Sequence, residues 1–168
     1  LSYSCEPFSI LSLSIPNKKE PSLFDCFDLY SEDEEMIDDN AWFNEKTGNK
    51  ENIKKNTVFW NLPNVLIIDL KRFNNSNRKI KTIVNIPIND IDFSKYVKGY
   101  HNSEYIYDLY GTGNHSGGVN GGHYTANIKN ANGNWYTMND TNIKEISERN
   151  IINEHTYCLF YRKKNKVL

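Results

Sequence analysis

A histidine, a turn-forming segment and then an Asn-Asp pair make an arrangement that can hold and move a proton. Residues 130–134, Asn-Ala-Asn-Gly-Asn, are turn chemistry between two runs that read as strands, 123–129 and 135–139, so the runs are expected to close a β-hairpin. With the turn centred near residue 131, positions summing to about 262 face each other, which sets His123 opposite Asn139 or, one register over, Asp140. Directly facing residues have Cβ atoms roughly 4.5–5.5 Å apart, close enough for an amide or carboxylate to bond an imidazole nitrogen. A histidine held in one tautomer is the base that a cysteine nucleophile requires, because the imidazolium favours the thiolate.

Four glycines, Gly117, Gly118, Gly121 and Gly122, stand immediately before His123. Glycine is favoured where another backbone must approach closely, so residues 113–122 read as a side-chain-poor loop that could admit an extended peptide beside the histidine. The three cysteines, Cys5, Cys26 and Cys158, are odd in number and widely separated. That pattern argues against a disulfide framework and for a reducing compartment, the cytoplasm or the nucleus.

The elements that must position these groups fit in one domain of 168 residues. Twenty Lys and Arg against 21 Asp and Glu leave a net charge of −1, without the basic field that draws nucleic acid. No apolar run approaches the roughly 20 residues that span a bilayer. Neither nucleic acid nor a membrane is an expected partner. The first residues carry neither a charged leader nor an initiator Met, and the chain reads as an excised piece.

Along the chain, residues 8–15 alternate and predict an antiparallel strand ended by Pro16. Ser22, with Asp25 three residues on, predicts a capped helix with Leu23, Cys26, Phe27 and Tyr30 on one face. The acidic residues 31–40 read as a solvated loop, 44–55 as a polar stretch turning at Gly48, and 57–60 as a strand stopped before Pro63. Residues 65–73 begin as a continuous apolar run and finish alternating, the signature of a central strand leaving the core. A basic, turn-rich loop covers 74–81, followed by an extended run over 83–88 and a short strand or helical turn at 91–96. The C-terminal third, with strands at 105–111, 123–129, 135–139 and 157–161 and a basic tail, reads as an antiparallel sheet.

In these segments the chain resembles the ubiquitin-specific proteases, papain-like deubiquitinases, almost from end to end. Phe8 with Leu11-Ser12-Leu13 and Ile15-Pro16 is similar to the family's "EPF…LSLPIP". Ser22-Leu23-Phe24-Asp25-Cys26 is similar to "SLEDCL", and residues 62–73 to "LPPVLIIHLKRF". Tyr107-Asp108-Leu109-Tyr110 and Asn114-His115-Ser116-Gly117-Gly118 resemble "YDLYAVSNHYGG". Gly121-Gly122-His123-Tyr124-Thr125-Ala126 resembles "GGHYTAY", and residues 157–162 resemble "YVLFYRR".

The resemblance implies an α+β, papain-like cysteine protease fold, of which this is the C-terminal portion: an antiparallel palm and fingers sheet with few helices. It implies His123 as catalytic base, Asn139 as its orienting residue and Asp140 as an assisting acid. It further implies a loop from Asn114 through His115, Gly117, Gly118, Gly121 and Gly122 to Tyr124 that closes over ubiquitin's C-terminal tail, with 74–81 as its companion. The implied reaction is thiol-dependent hydrolysis after ubiquitin's C-terminal glycine, with ubiquitin and ubiquitinated proteins as partners.

Three departures qualify the resemblance. The family's nucleophile lies in a segment N-terminal to everything matched, and Cys5, Cys26 and Cys158 all fall in structural segments, so this chain alone is expected to be inactive and to need that segment as a partner. The family's second zinc-binding CxxC pair falls on Asn44 and Thr47, so no metal and no cofactor are expected. Asp69 stands where the family strand has His. The competing readings are a non-catalytic ubiquitin-binding module and an interaction domain that uses the acidic residues 31–40.

Overall fold

The computed structural model describes residues 3–100 and 104–164; of the expected basic tail, Arg162 and Lys163 continue the last strand and 165–168 lie outside the described residues. At its centre is strand Val65–Lys71 (β6), where Leu66, Ile68 and Leu70 are fully buried while both ends emerge. Its neighbours are Leu11–Ser14 (β1) on one side and Thr156–Lys163 (β12) on the other. Beyond β12 follow Ile106–Gly118 (β8), Gly121–Lys129 (β9), Trp135–Asn139 (β10) and Asn142–Ile146 (β11), and Ile91–Asp92 (β7) pairs with the start of β8. The buried residues of β6, β12 and β8 form one apolar layer with Tyr107, Leu109, Leu159 and Tyr161.

The strand expected over 8–15 is shorter and runs the other way: β1 pairs with β6 in parallel, with Leu11 beside Ile68 and Leu13 beside Leu70. A parallel pair needs a long crossover, and everything between β1 and β6 supplies it. The helix Leu23–Tyr30 (α1) belongs to that crossover. Ser22 Oγ accepts from Asp25 N and the Asp25 carboxylate accepts from Ser22 N, a complete capping box. Lys18 adds an ion pair to Asp25, whose carboxyl is held well below the usual range mainly by that bond. Phe27 then stacks on Phe93 at 4.7 Å and joins α1 to the sheet.

Between α1 and β6 the structure corrects two expectations. The acidic segment is not all loop, because Glu34–Met36 (β2) pairs with Ile53–Lys55 (β5) and sets Glu35 opposite Lys54 and Glu34 opposite Lys55. Residues 57–60 make only an isolated bridge, Phe59 to Val97, since Pro63 and the turn at Gly99 leave no strand alongside them. The polar stretch at 44–55 is a hairpin, Trp42–Asn44 (β3) against Asn49–Glu51 (β4). One Glu51 oxygen accepts from both Asn44 Nδ2 and Thr47 Oγ1, so the positions matching the family's cysteine pair are tied by hydrogen bonds.

Arg72, which directly follows β6, is completely buried. Its Nε donates to Thr156 O at 2.5 Å and its Nη1 to Ile80 O and Thr82 O at 3.0 Å each. Burial pushes its pKa down, yet a guanidinium stays charged because its intrinsic value is so high. The side chain therefore pins the far end of the basic loop 74–81 to the first residue of β12. Arg72→Met removes three buried acceptors' partner and should lower the unfolding free energy by about 3 kcal/mol in urea titration. A loss below about 1 kcal/mol would show that those carbonyls are satisfied in another way.

Candidate active site

β8 and β9 do not part at the glycines. The loop expected over 113–122 is a continuation of both strands to a two-residue turn at Val119 and Asn120, with Gly117 facing Gly122 and Gly118 facing Gly121. A run of glycines can extend a ladder where no side chain competes for space, and here it does. Gly117 has φ +127°, and a Cβ there would lie 2.6 Å from both Gly121 O and Gly122 Cα. Gly122 is tighter, since its Cβ would meet His115 Nε2 and Ser116 O at 2.3 Å.

Asn114 and His115 are accordingly not loop residues. Asn114 is buried in β8 beside Thr156, 3.5 Å from the Thr112 hydroxyl that donates to it. His115 is also buried, facing Tyr124 across the ladder with ring centroids 4.7 Å apart and with Phe73 and Tyr157 at 5.9 Å. Burial first, then the charge of Lys79 and then His155, hold His115 below its ordinary pKa.

His123 faces Ser116, and its exposed ring reaches the next strand, where Nε2 lies 2.6 Å from Asn139 Oδ1. The hairpin that joins them has a different register from the one expected. Trp135 faces Lys129 and Met138 faces Ala126, because Asn130 accepts from Gly133 N and donates to Asn134 O in a turn centred one residue later. That register carries Asn139 alongside Thr125, so it meets His123 on the diagonal. Diagonal positions stay on one face of the sheet and within reach of side chains of this length. Asp140 falls in the tight turn before β11, with φ +52°, and among the described residues it makes no hydrogen bond to the ring.

An amide oxygen only accepts, so the bond assigns the proton to Nε2 and leaves the Nδ1 lone pair free. An imidazole in that state can take a proton at Nδ1 while the amide keeps its plane fixed. The two cysteines held in secondary structure have the opposite of a nucleophile's environment. Burial and the nearby Asp25 push the Cys26 thiol up to about 11, and burial and Asp69 push Cys158 up as well. Cys5 is exposed in the N-terminal segment ahead of β1. Asp69, unexplained by sequence, accepts a hydrogen bond from Ser12 Oγ, the residue directly beside it on β1.

Sequence reasoning missed Lys79. Its Nζ donates to His115 O and lies 3.2 Å from His115 Nδ1, and burial holds its pKa down. The only sequence signal was that it sits in the basic loop named as the hairpin's companion.

A mainly antiparallel sheet that presents an amide-oriented histidine beside a glycine hairpin defines the C-terminal portion of a papain-like cysteine protease fold. The family profile described as Ubiquitin carboxyl-terminal hydrolase matches residues 17–161, and the chain belongs to that family as the C-terminal part of a ubiquitin-specific protease catalytic domain. It is 40% identical over 146 residues to Ubiquitin carboxyl-terminal hydrolase 9 of Arabidopsis thaliana, covering 84% of this chain and 16% of the relative. It is 34% identical over 154 residues to Ubiquitin carboxyl-terminal hydrolase 15 of Homo sapiens, covering 89% and 16%. Among solved structures, the SAGA Ubp8/Sgf11/Sus1/Sgf73 DUB module bound to monoubiquitin superposes with a TM-score of 0.80 at 30% identity, covering 95% of this chain and 36% of the matched one. The module bound to ubiquitin aldehyde, without the Cys-to-Ala substitution that Ubp8 carries in the monoubiquitin structure, gives 0.77 at 28%, covering 92% and 36%. The chain thus spans about a sixth of the length of these curated relatives.

Two outcomes follow from the geometry around His115. Gly122→Ala drives a Cβ into backbone as well as ring, and should cost about 2 kcal/mol of stability or displace the hairpin, read by thermal melting and by amide exchange at 117–122. Because His115 titrates lower when folded than its unfolded value of 6.5, the unfolded chain binds the proton first as pH falls. Stability should therefore be full above that value and decline below it, and His115→Gln should flatten this acid limb in melts between pH 7.5 and 5.5. An unchanged limb in the variant would assign it to other groups.

Proposed function

We propose that this chain supplies the base half of a thiol-dependent deubiquitinase that hydrolyses the isopeptide or peptide bond after ubiquitin's C-terminal glycine. The observation that carries the reading is the 2.6 Å bond from His123 Nε2 to Asn139, which frees Nδ1 beside a glycine-rich hairpin. Membership of the family supports the substrate class, and the SAGA DUB modules bound to ubiquitin aldehyde and to monoubiquitin support ubiquitin as ligand.

In this reaction His123 Nδ1 takes the proton of a cysteine thiol, and the thiolate attacks the carbonyl carbon of the glycine. The imidazolium then gives that proton to the lysine nitrogen as the C–N bond breaks, leaving a thioester. In the second half Nδ1 takes a proton from water, whose oxygen attacks the thioester, and the thiol leaves with the proton returned to it. Asn139 holds the ring in plane throughout, and Asp140, on the exposed turn, acts only through its charge. The glycine ladder through Gly117, Gly118, Gly121 and Gly122, with Tyr124 beside it, is the wall along which a tail lacking side chains would lie. We assign the thiol to polypeptide outside this sequence, because Cys26 is buried and Cys158 half-buried, and both have raised pKa values. A ubiquitin-binding module without catalysis is the competing reading.

The test is hydrolysis of a ubiquitin C-terminal fluorogenic amide by the parent polypeptide that carries this chain. His123→Ala should lower kcat by about a thousandfold or more. Asn139→Ala should lower it by about ten- to a hundredfold with KM little changed. Activity that survives His123→Ala would contradict the assignment, and ubiquitin binding without any hydrolysis would select the non-catalytic module.

A further inference from the structure

The hairpin that carries His123 is held from the side of the basic loop by Lys79. Lys79 Nζ donates to the carbonyl oxygen of His115 and sits 3.2 Å from its ring nitrogen Nδ1, so it reads the backbone and the side chain of one residue together. An ammonium donates only, so His115 Nδ1 is an acceptor and the proton is on Nε2. The Nε2 edge is the part of the ring that fills the space where Gly122 would carry a Cβ, and Gly122 is bonded to His123. A displacement of Lys79 is therefore passed to His123 through two contacts, ring against glycine and glycine to histidine.

Lys79 is itself anchored. Phe73 and Lys79 form a β-bridge, and Ile80 N donates to Arg72 O at 2.6 Å while Arg72 Nη1 donates back to Ile80 O. The same Arg72 reaches Thr156 O, and the neighbouring His155 O accepts from His115 N at 2.8 Å. The basic loop thus meets the glycine hairpin through Lys79, and both are tied to the start of β12, the loop through Arg72 at Thr156 O and the hairpin through His115 N at His155 O. Burial first, and then the charge of Arg72, hold the Lys79 pKa down, with the charge of Glu154 opposing them.

We infer that Lys79 is a positioning residue for the site built on His123, clamping His115 so that the glycine hairpin and the histidine stay in register for the substrate's tail. This rests on the function proposed above. Lys79 touches neither the reacting atoms nor His123. Its loss leaves the fold in place but lets the hairpin shift, and a misplacement near 1 Å is enough to cost large factors in rate.

The experiment compares Lys79→Met, which keeps the stem and removes the donor, with Lys79→Arg, which restores a donor, in the parent polypeptide, using the ubiquitin C-terminal fluorogenic amide. Lys79→Met should lower kcat about tenfold and raise KM, with a melting temperature within about 2 °C of wild type. Lys79→Arg should recover most of the lost kcat, and amides at 117–122 should exchange faster in Lys79→Met only. Unchanged kcat and KM in Lys79→Met would overturn the inference. So would a loss that tracks the fraction unfolded and is not rescued by Lys79→Arg. The His123→Ala control separates the two readings: if it abolishes activity while Lys79→Met does nothing, the function stands and the clamp falls.

Discussion

The hydrogen bond between His123 Nε2 and Asn139 Oδ1 is the constraint on which the remaining architecture depends. An exposed imidazole tied by one neutral partner has little else to fix its direction, so the burden passes to the strands. β9 and β10 must hold their register closely, because a slip of one residue would turn either side chain to the opposite face. The register is secured well away from the histidine. Trp135 is buried beneath it and Asn127 donates to Ile151 O from the same face, so the half of the hairpin remote from the site is packed while the half bearing His123 is open.

Rigidity then propagates inward through polar groups that a sheet of this kind does not ordinarily bury. Among the described residues Arg72 donates from Nε and Nη1 to three backbone carbonyls, none of its bonds going to a carboxylate, and its Nη2 is left without a partner. Paired with the apolar residues of β6, it couples the central strand to the loop after it and to the start of β12. Buried polar networks of this type specify one arrangement among several that apolar packing alone would allow. Two neighbouring connections, the 74–81 loop and the glycine hairpin, are thereby set relative to one sheet.

Much of this was legible in the residues. The apolar run at 65–71, the Ser22 cap and the turn signal at 130–134 each have a local cause, and each appears where its cause sits. What failed was non-local. Direction of β1 depends on the connection that follows it, and alternation is identical in parallel and antiparallel strands. The glycines from Gly117 to Gly122 carry a loop signature in isolation, yet two facing runs of glycine extend a ladder, which only the register discloses. The pairing of His123 with Asn139 was found by an arithmetic that was off by two positions, and it survived because diagonal and direct neighbours share a face. Lys79 was invisible because a lone lysine in a polar loop has no pattern to distinguish it. The resemblance to the ubiquitin-specific proteases located the site, while the hydrogen-bond geometry assigned its proton.

The account divides the work of one reaction between an oriented histidine in this sequence and a thiol elsewhere. The measurement that tests this most directly is covalent capture of the parent polypeptide by ubiquitin bearing a C-terminal alkyne, followed by mass spectrometric mapping of the modified residue. The account predicts one adduct per molecule, on a cysteine other than Cys5, Cys26 or Cys158. An adduct on any of those three, or none at all from folded protein that binds ubiquitin, would contradict it.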